Sequence, residues 1–259
     1  QPMISPCNRY VLAYNGEIYN HIELRKQLES EGGNFNWRGT SDTETVLAAL
    51  MHWGVEKALK KFNGMFAFAF WDGSNQTLFL ARDRMGEKPL YYGVNNGTFF
   101  FGSELKSFSP HPNWNGEINR DALTLFMRHN YIPAPWSIYK NILKLLPAHF
   151  VVISDNGQTI SSPQCYWDLG KIASDGVESA IGSPEECIEE LDSLLRKSVL
   201  SRMASDVPLG AFLSGGVDSS MVVALMQAQS PKPINTYSIG FEEKGYNEAP
   251  YAKEVANHL

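Results

Sequence analysis

The densest apolar block of the chain is Met65-Phe66-Ala67-Phe68-Ala69-Phe70-Trp71, with no polar position inside it. It has the length of a strand, and apolar side chains on both faces place that strand centrally in a covered sheet. Arg9 to Tyr14 predicts an earlier strand that stops at Asn15-Gly16, a pair that favours a turn. Thr77 to Ala81, Leu90 to Gly93 and Thr98 to Phe101 predict three further strands. The last two are joined by a hairpin at Asn96-Gly97. Two helical segments lie ahead of the central block. One starts at Asn20 as N-cap, with Glu23 in its first turn and Ile22, Leu24 and Leu28 on an apolar face. The other opens with Ser41 and Glu44 at capping-box spacing and continues with Val46, Leu47 and Leu50. Stacked strands with helices on either side predict an α+β sandwich of layers.

Further on, the prolines of Tyr131-Ile132-Pro133-Ala134-Pro135 predict an extended junction. His149 to Ile153 is a strand, followed by a turn at Asn156-Gly157. Lys171 to Ser183 is rich in Gly, Ser, Ala and Asp and reads as a linker. This gives a first domain over 1–168, a linker over 169–183 and a second domain over 184–259. The second opens with Ser183-Pro184-Glu185-Glu186, which combines an N-cap, Pro at the first helical position and Glu at N3. Ile188, Leu191, Leu195 and Val199 then recur at helical spacing. The apolar run Pro208 to Leu213, a Gly/Ser turn, a helix through Met221 to Met226, a strand over Asn235 to Phe241 and a helix from Asn247 follow. Strand–helix–strand–helix implies a parallel sheet with covered faces.

Composition narrows the function. The 259 residues are 43% hydrophobic and 19% charged, as in packed globular proteins. The formal net charge of -6 argues against a surface that coats nucleic acid. No apolar run approaches the ~20 residues of a membrane span. Neither nucleic acid nor membrane is therefore expected as a partner. Cys7, Cys165 and Cys187 are odd in number and far apart, so they give no metal pattern and no disulfide framework. A reducing cytoplasm is the expected setting. No secretory leader is apparent. The histidines show no ligand spacing, and no metal site is assigned to them. The chain begins at Gln1 and ends in a helix-like segment with no capping glycine, so an internal fragment of a longer protein is expected.

Two segments carry candidate chemistry. Ser214-Gly215-Gly216-Val217-Asp218-Ser219-Ser220 lies between an apolar strand and a helix start. Its glycines allow a sharp turn with N–H groups close to a ligand. The helix N-terminus adds free donors and a positive dipole end, and the serines add hydroxyls. Asp218 is suited to the Mg²⁺ that travels with nucleotide phosphates. The Gly-Lys-Ser/Thr of a Walker A loop is absent. A plain turn that caps a helix is the competing reading. In Asn15-Gly16-Glu17-Ile18-Tyr19-Asn20, an Asn amide beside a backbone N–H can form an oxyanion hole. Glu17 and Asp42 can both address an ammonium group. Here too a turn with a helix cap competes.

Asn15 to Asn20, Gly39 to Glu44, Phe62 to Ala67, Ala81 to Gly86, Lys88 to Gly93, Phe101 to Lys106 and Leu213 to Ser220 together resemble the glutamine-hydrolysing asparagine synthases. The resemblance runs nearly end to end. It implies a class II glutamine amidotransferase domain with an αββα N-terminal-nucleophile fold. It also implies an incomplete α/β adenine-nucleotide α-hydrolase-like domain with a PP-loop. The first hydrolyses glutamine to ammonia. The second uses ATP and Mg²⁺ to adenylate aspartate, and ammonia then displaces AMP. By matching position, Asn15 and Gly16 form the oxyanion hole, and Asn15, Gly16, Glu17 and Asp42 bind glutamine. Leu213, Ser214, Gly215, Gly216, Val217, Asp218, Ser219, Ser220 and Ile239 bind ATP, with Asp218 on the metal. For Leu213 and Ile239, core strand positions are the competing reading. Glutamine, aspartate and ATP are the implied partners, and a homodimer stays open.

The family's nucleophile is a Cys at the mature N-terminus with its own α-amine as base. This chain does not start with it, Cys7 is no substitute, and the fragment alone is expected to be inactive. Arg82, Asp83 and Arg84 read as ion pairing at a domain interface. Two alternatives stand beside asparagine synthesis. One is an amidotransferase acting on a sugar acid or other carboxylate in surface-polysaccharide biosynthesis. The other is a non-catalytic remnant.

Overall fold

The computed structural model describes residues 1–259 except 34, 179–181, 206, 244 and 246. It divides into two compact units, Gln1–Ser174 and Asp175–Leu259.

The first unit starts with strands β1 (Met3–Ile4) and β2 (Tyr10–Ile18) and helices α1 (His21–Ser30), α2 (Asp42–Trp53) and α3 (Val55–Lys61). Strands β3 (Gly64–Asp72), β4 (Thr77–Arg82), β5 (Tyr91–Asn95) and β6 (Thr98–Gly102) follow. After a 3-10 turn at Leu105–Phe108 come α4 (Arg120–His129), β7 (Ile142–Lys144), β8 (His149–Ser154), β9 (Thr159–Ile160) and β10 (Gln164–Cys165). Helix α5 (Leu169–Glu178) runs across the division between the units.

The main sheet has the order β1-β2-β3-β4-β8-β10, with β9 beside β8, and all its pairs are antiparallel. A second sheet, β6-β5-β7, stacks on it. The apolar block at residues 65–71 explains the layering. Phe66, Phe68 and Phe70 point to the helix side, where they meet Leu24 and Leu28 of α1 and Val46, Leu47 and Leu50 of α2. Ala67 and Ala69 point the other way, against Tyr92, Leu90 and Leu145. Large residues thus fill the helix–sheet gap, and small ones let the two sheets approach. Each fully buried Phe contributes about 1.5–3 kcal/mol. Phe100 and Ile142 on the outer face of the second sheet pack with Phe108 and Trp114.

Several expectations need correction. β2 does not stop at Asn15-Gly16 but continues to Ile18, paired with β3 (Gly16 opposite Phe66, Ile18 opposite Gly64). The cause is a close backbone approach. A Cβ on Gly16 would lie 2.3 Å from the Met65 carbonyl oxygen, and one on Gly64 would lie 2.1 Å from that of Glu17. Asn20 precedes α1, yet its side chain makes no cap hydrogen bond. Instead its Oδ1 accepts the Asn63 N–H at 3.0 Å and its Nδ2 donates to the Lys61 carbonyl at 3.0 Å. Ser41 caps α2 by accepting the Thr43 N–H, but Glu44 accepts the N–H groups of Arg38 and Gly39 rather than completing the box. The Pro133-Ala134-Pro135 segment is a turn, closed by Trp136 N–H to Pro133 C=O at 3.0 Å. The stretch read as a linker is helical up to Glu178, because Asp168 accepts the Lys171 N–H and starts α5. Residues 179–181 lie outside the described residues.

Arg82 and Asp83 form no ion pair. Arg82 donates to the carbonyls of Lys88, Leu145 and Gly86. Asp83, fully buried, accepts from the backbone N–H groups of Phe66, Met85, Glu87 and Lys88. Together they shape the 83–88 loop. Arg84 donates to the Lys60 carbonyl.

The second unit holds α6 (Pro184–Arg202), β11 (Gly210–Phe212), α7 (Val217–Ala228), β12 (Asn235–Tyr237) and α8 (Ala249–His258). The capping box at Ser183 and Glu186 is complete, with Pro184 in the first turn. β11 and β12 are parallel. β12 ends at Tyr237, short of the expected Phe241. The Ser238 hydroxyl donates to the Leu213 carbonyl at 2.6 Å and takes the acceptor that a further rung would use.

Candidate functional sites

In the first unit the candidate site forms along the outer edge of β2. β1 borders that edge only at Val11 and Leu12. At Tyr14 the border is a side chain: Gln1 Nε2 donates to the Tyr14 carbonyl at 2.6 Å, and Gln1 Oε1 accepts the Tyr14 N–H at 2.8 Å. At Ile18 the N–H donates to Asp42 Oδ2 at 2.9 Å. Backbone groups alternate in direction along a strand, so the Gly16 N–H and C=O point to this same edge, between Gln1 and Asp42. Among the described residues no strand borders Gly16 there.

Asp42 is the first residue of α2, where the helix dipole favours a carboxylate. Its Oδ2 also accepts the Tyr14 hydroxyl at 2.8 Å. Tyr14 is 7% exposed, and burial, reinforced by Asp42, pushes its phenol far above the ordinary range. The phenol therefore stays protonated and remains a donor. Among the described residues Asp42 Oδ1 takes only a 3.3 Å contact from Thr43 Oγ1, which leaves it able to accept a hydrogen bond from a cationic group.

Asn15 and Glu17 alternate with Tyr14 and Ile18, so their side chains leave the opposite face of the sheet. Asn15 Nδ2 donates to Ser103 Oγ at 3.0 Å. That contact lies at a cavity of about 200 Å3 walled by Gln1, Tyr14, Asn15, Leu90, Phe101 and Ser103 among others. The structure thus gathers Gly16 and Asp42 on one edge and places the Asn15 amide on the adjoining face. Gln1, Tyr14 and Ser103 were not foreseen. Alternation along β2 marks Tyr14, whereas Gln1 and Ser103 carry no local signal.

Cys7 is remote from this edge. It lies in the turn before β2, with its Sγ against Ser5 Oγ. Tyr10 to Gly16 alone spans roughly 20 Å of strand. Cys165 Sγ lies 3.2 Å from the Trp167 carbonyl oxygen, and Cys187 is on α6 in the second unit.

In the second unit β11 leads into the Ser214–Ser220 turn. Gly215 has φ +85, and a Cβ there would lie 2.7 Å from Tyr251 Cβ and 2.9 Å from the Ala252 nitrogen. Only glycine suits both constraints. Ser214 Oγ and Ser219 Oγ are 2.9 Å apart, and Ser214 Oγ accepts the Gly216 N–H. α7 starts after Gly216, which has no side chain to cap it, so first-turn N–H groups stay available. Asp218 is exposed in that first turn. Leu213, Ser214, Ser219 and Ile239 wall a cavity of about 380 Å3 together with Phe212, Tyr237, Ser238, Phe241 and Glu248. Gly215, Gly216, Val217, Asp218 and Ser220 are not among its walls. Leu213 is also a buried strand-end residue, while Ile239 is 67% exposed and is not core. An uncapped helix start with hydroxyls beside an apolar cavity fits a nucleotide with its phosphates. Among the described residues, no group of three or more His, Cys, Asp or Glu side chains could hold a metal ion. Asp218 is thus a lone carboxylate, suited to a metal that arrives with phosphates rather than to a resident one.

Comparison with known proteins gives two family matches. A family described as "Glutamine amidotransferase domain" matches residues 1–167, and one described as "Asparagine synthase" matches residues 190–259. The chain is 36% identical over 259 residues to "Asparagine synthetase [glutamine-hydrolyzing] 1" of Bacillus subtilis, covering 100% of this chain and 39% of that protein. It is 33% identical over 276 aligned positions to "Amidase chyE" of Penicillium rubens, covering 100% of this chain and 39% of that protein. The chain therefore spans well under half the length of these relatives. A solved glutamine phosphoribosylpyrophosphate amidotransferase of B. subtilis superposes with a TM-score of 0.45 at 19% identity, over 64% of this chain and 32% of its own.

Proposed function

We propose, for a chain that belongs to the glutamine amidotransferase family and carries an asparagine synthase match behind that domain, that the whole protein makes asparagine from aspartate with glutamine as nitrogen donor. One observation carries the reading. A single chain holds both a β2 edge with Gly16 beside Asp42 and an uncapped Gly-Gly helix start at a nucleotide-sized cavity.

In the amidotransferase step a cysteine thiolate, supplied from outside residues 1–259, attacks the amide carbon of glutamine. The Gly16 N–H and the Asn15 amide stabilise the oxyanion. Ser103 takes one hydrogen of the Asn15 amide and leaves the other for that task. Asp42 and Glu17 hold the α-ammonium group. The C–N bond breaks, ammonia leaves, and water cleaves the thioester to glutamate. In the synthetase step the aspartate side-chain carboxylate attacks the α-phosphate of ATP and expels pyrophosphate. Ammonia then displaces AMP. The Ser214–Ser220 turn receives the phosphates, with Leu213 and Ile239 beside the nucleoside. Asp218 would hold the Mg²⁺ that arrives with them, and that ion would supply charge neutralisation at the phosphates. Ammonia is a nucleophile only while unprotonated, so a route shielded from water suits the pairing of the two reactions. The odd number and wide spacing of the cysteines suit a cytoplasmic setting. Among the described residues no helix is long and apolar enough to cross a membrane.

A second reading keeps the same activation and changes the acceptor to another carboxylate such as a sugar acid, and a similar protein carries a name other than asparagine synthetase, "Amidase chyE". Acceptor profiling by AMP release, on the complete polypeptide that carries residues 1–259, separates the two. Aspartate-dependent release is expected, and release only with a different carboxylate would overturn asparagine synthesis. In the same protein Asp218→Ala should lower AMP and pyrophosphate formation by about 100-fold or more and spare glutamine hydrolysis. Unchanged synthesis would remove the metal role of Asp218.

A further inference from the structure

The candidate chemistry lies along the outer edge of β2, where backbone direction depends on what each rung is bonded to. β1 supports it only as far as Leu12. At Tyr14 the primary carboxamide of Gln1 meets both backbone groups. Its N–H donates at 2.6 Å and its C=O accepts at 2.8 Å, to and from the same residue. A carboxamide carries the same donor and acceptor pair as a peptide group, so one side chain completes a rung of the ladder. Asn15 and Gly16 follow directly in the chain. Tyr14 is held at its other end as well, through its hydroxyl on Asp42. Gln1 thus closes one side of a frame whose opposite side is the Asp42–Ile18 contact, and Gly16 lies between them. The Gln1 side chain also walls the cavity at which Ser103 takes one Asn15 hydrogen.

We propose that Gln1 is a positioning residue for amide hydrolysis. Its carboxamide fixes the Tyr14 peptide and thereby sets the direction of the Gly16 N–H and the Asn15 amide. This rests on the glutamine-hydrolysing reading above. Gln1 acts through the backbone and touches neither substrate nor nucleophile.

The test uses the complete polypeptide, with glutamine hydrolysis as one readout and ammonia-dependent amide synthesis as the internal control. Gln1→Ala should lower kcat for glutamine hydrolysis by about 10–100-fold, since small misplacements of positioned groups cost that much. KM for glutamine should change by less than about 3-fold, the pattern of an interaction realised in the transition state. The ammonia-dependent reaction should be unchanged, which shows that the variant folds. Gln1→Glu supplies the second arm. As a carboxylate it faces the Tyr14 carbonyl with no donor. As a neutral acid it both donates and accepts, as the carboxamide does. A carboxylate against a carbonyl has a raised pKa. The ratio of its kcat to that of the parent protein should therefore rise as pH falls from about 8 to about 5, a recovery that Gln1→Ala does not show. A Gln1→Ala protein with parental kcat, or a Gln1→Glu protein that follows Gln1→Ala at every pH, overturns the role. A parent protein that hydrolyses no glutamine overturns the underlying reading and this role with it, and that outcome is told apart by the parent alone.

Discussion

At the scale of single residues, Gly16 shows how tertiary structure overrides a local signal. Asn-Gly is a turn pair, and the sequence pointed to chemistry there while misplacing the backbone. The absent Cβ serves the approach of β3, not a reversal of the chain. Gly16→Ala should destabilise the protein by about 1–3 kcal/mol through overpacking, read as a fall in the urea midpoint at constant slope. Asp72 gives a pH prediction. The Arg9 guanidinium, at 2.7 Å, and then the Ser74 and Asn75 N–H groups hold its carboxyl at about 2, against an ordinary 3.8. A lowered carboxyl stabilises the fold at and above its ordinary pKa, and that contribution is lost as pH falls from near 4 through about 2. Asp72→Asn should be less stable at pH 7 and lose less on acidification across that window, as followed by circular dichroism. The polar network around Asp83 was illegible for a similar reason. Arg82-Asp83-Arg84 looks like charge pairing, but the partners are carbonyls and amides from loops that only the fold assembles.

At the scale of elements, success followed the locality of the signal. The Ser183 cap, Pro184 and Glu186 sit within one helical turn, and the reciprocal bonds form as the spacing predicts, at 3.3 Å and 2.8 Å. Ser183→Ala should cost about 1 kcal/mol, measured as a lower midpoint in thermal unfolding with α6 helicity as the probe. The same spacing at Ser41 and Glu44 gives only half a box, because Glu44 is drawn to the N–H groups of Arg38 and Gly39 and to Arg25 at 3.6 Å. At α5 the Gly and Ser content hid a helix, although the two units do divide within the stretch read as a linker. The outweighing signal was present in Asp168, which caps the helix, and in Leu169 and Ile172 behind it. The Asn96-Gly97 hairpin was legible because both residues take positive φ (46 and 73), which few other pairs accept.

At the scale of the molecule, the layers of the first unit were legible because one apolar block alternates large and small side chains and so requires a different neighbour on each face. The parallel pair in the second unit followed from strand–helix–strand order. Neither reading found Gln1, Ser103 or the Tyr251 contact, since each joins segments far apart in the chain. That last contact has a practical consequence. The backbone of Tyr251 and Ala252 fills the space where Gly215 lacks a side chain, so the floor of the Gly-Gly bend belongs to α8. A polypeptide shortened to residue 248 would keep every letter from Ser214 to Ser220 yet lose the shape they spell. The hydrogen-bonded amides on either side of the bend, Leu213 on the Tyr237 carbonyl and Ser220 on the Gly216 carbonyl, should then exchange with deuterium at least ~10-fold faster than in the intact chain.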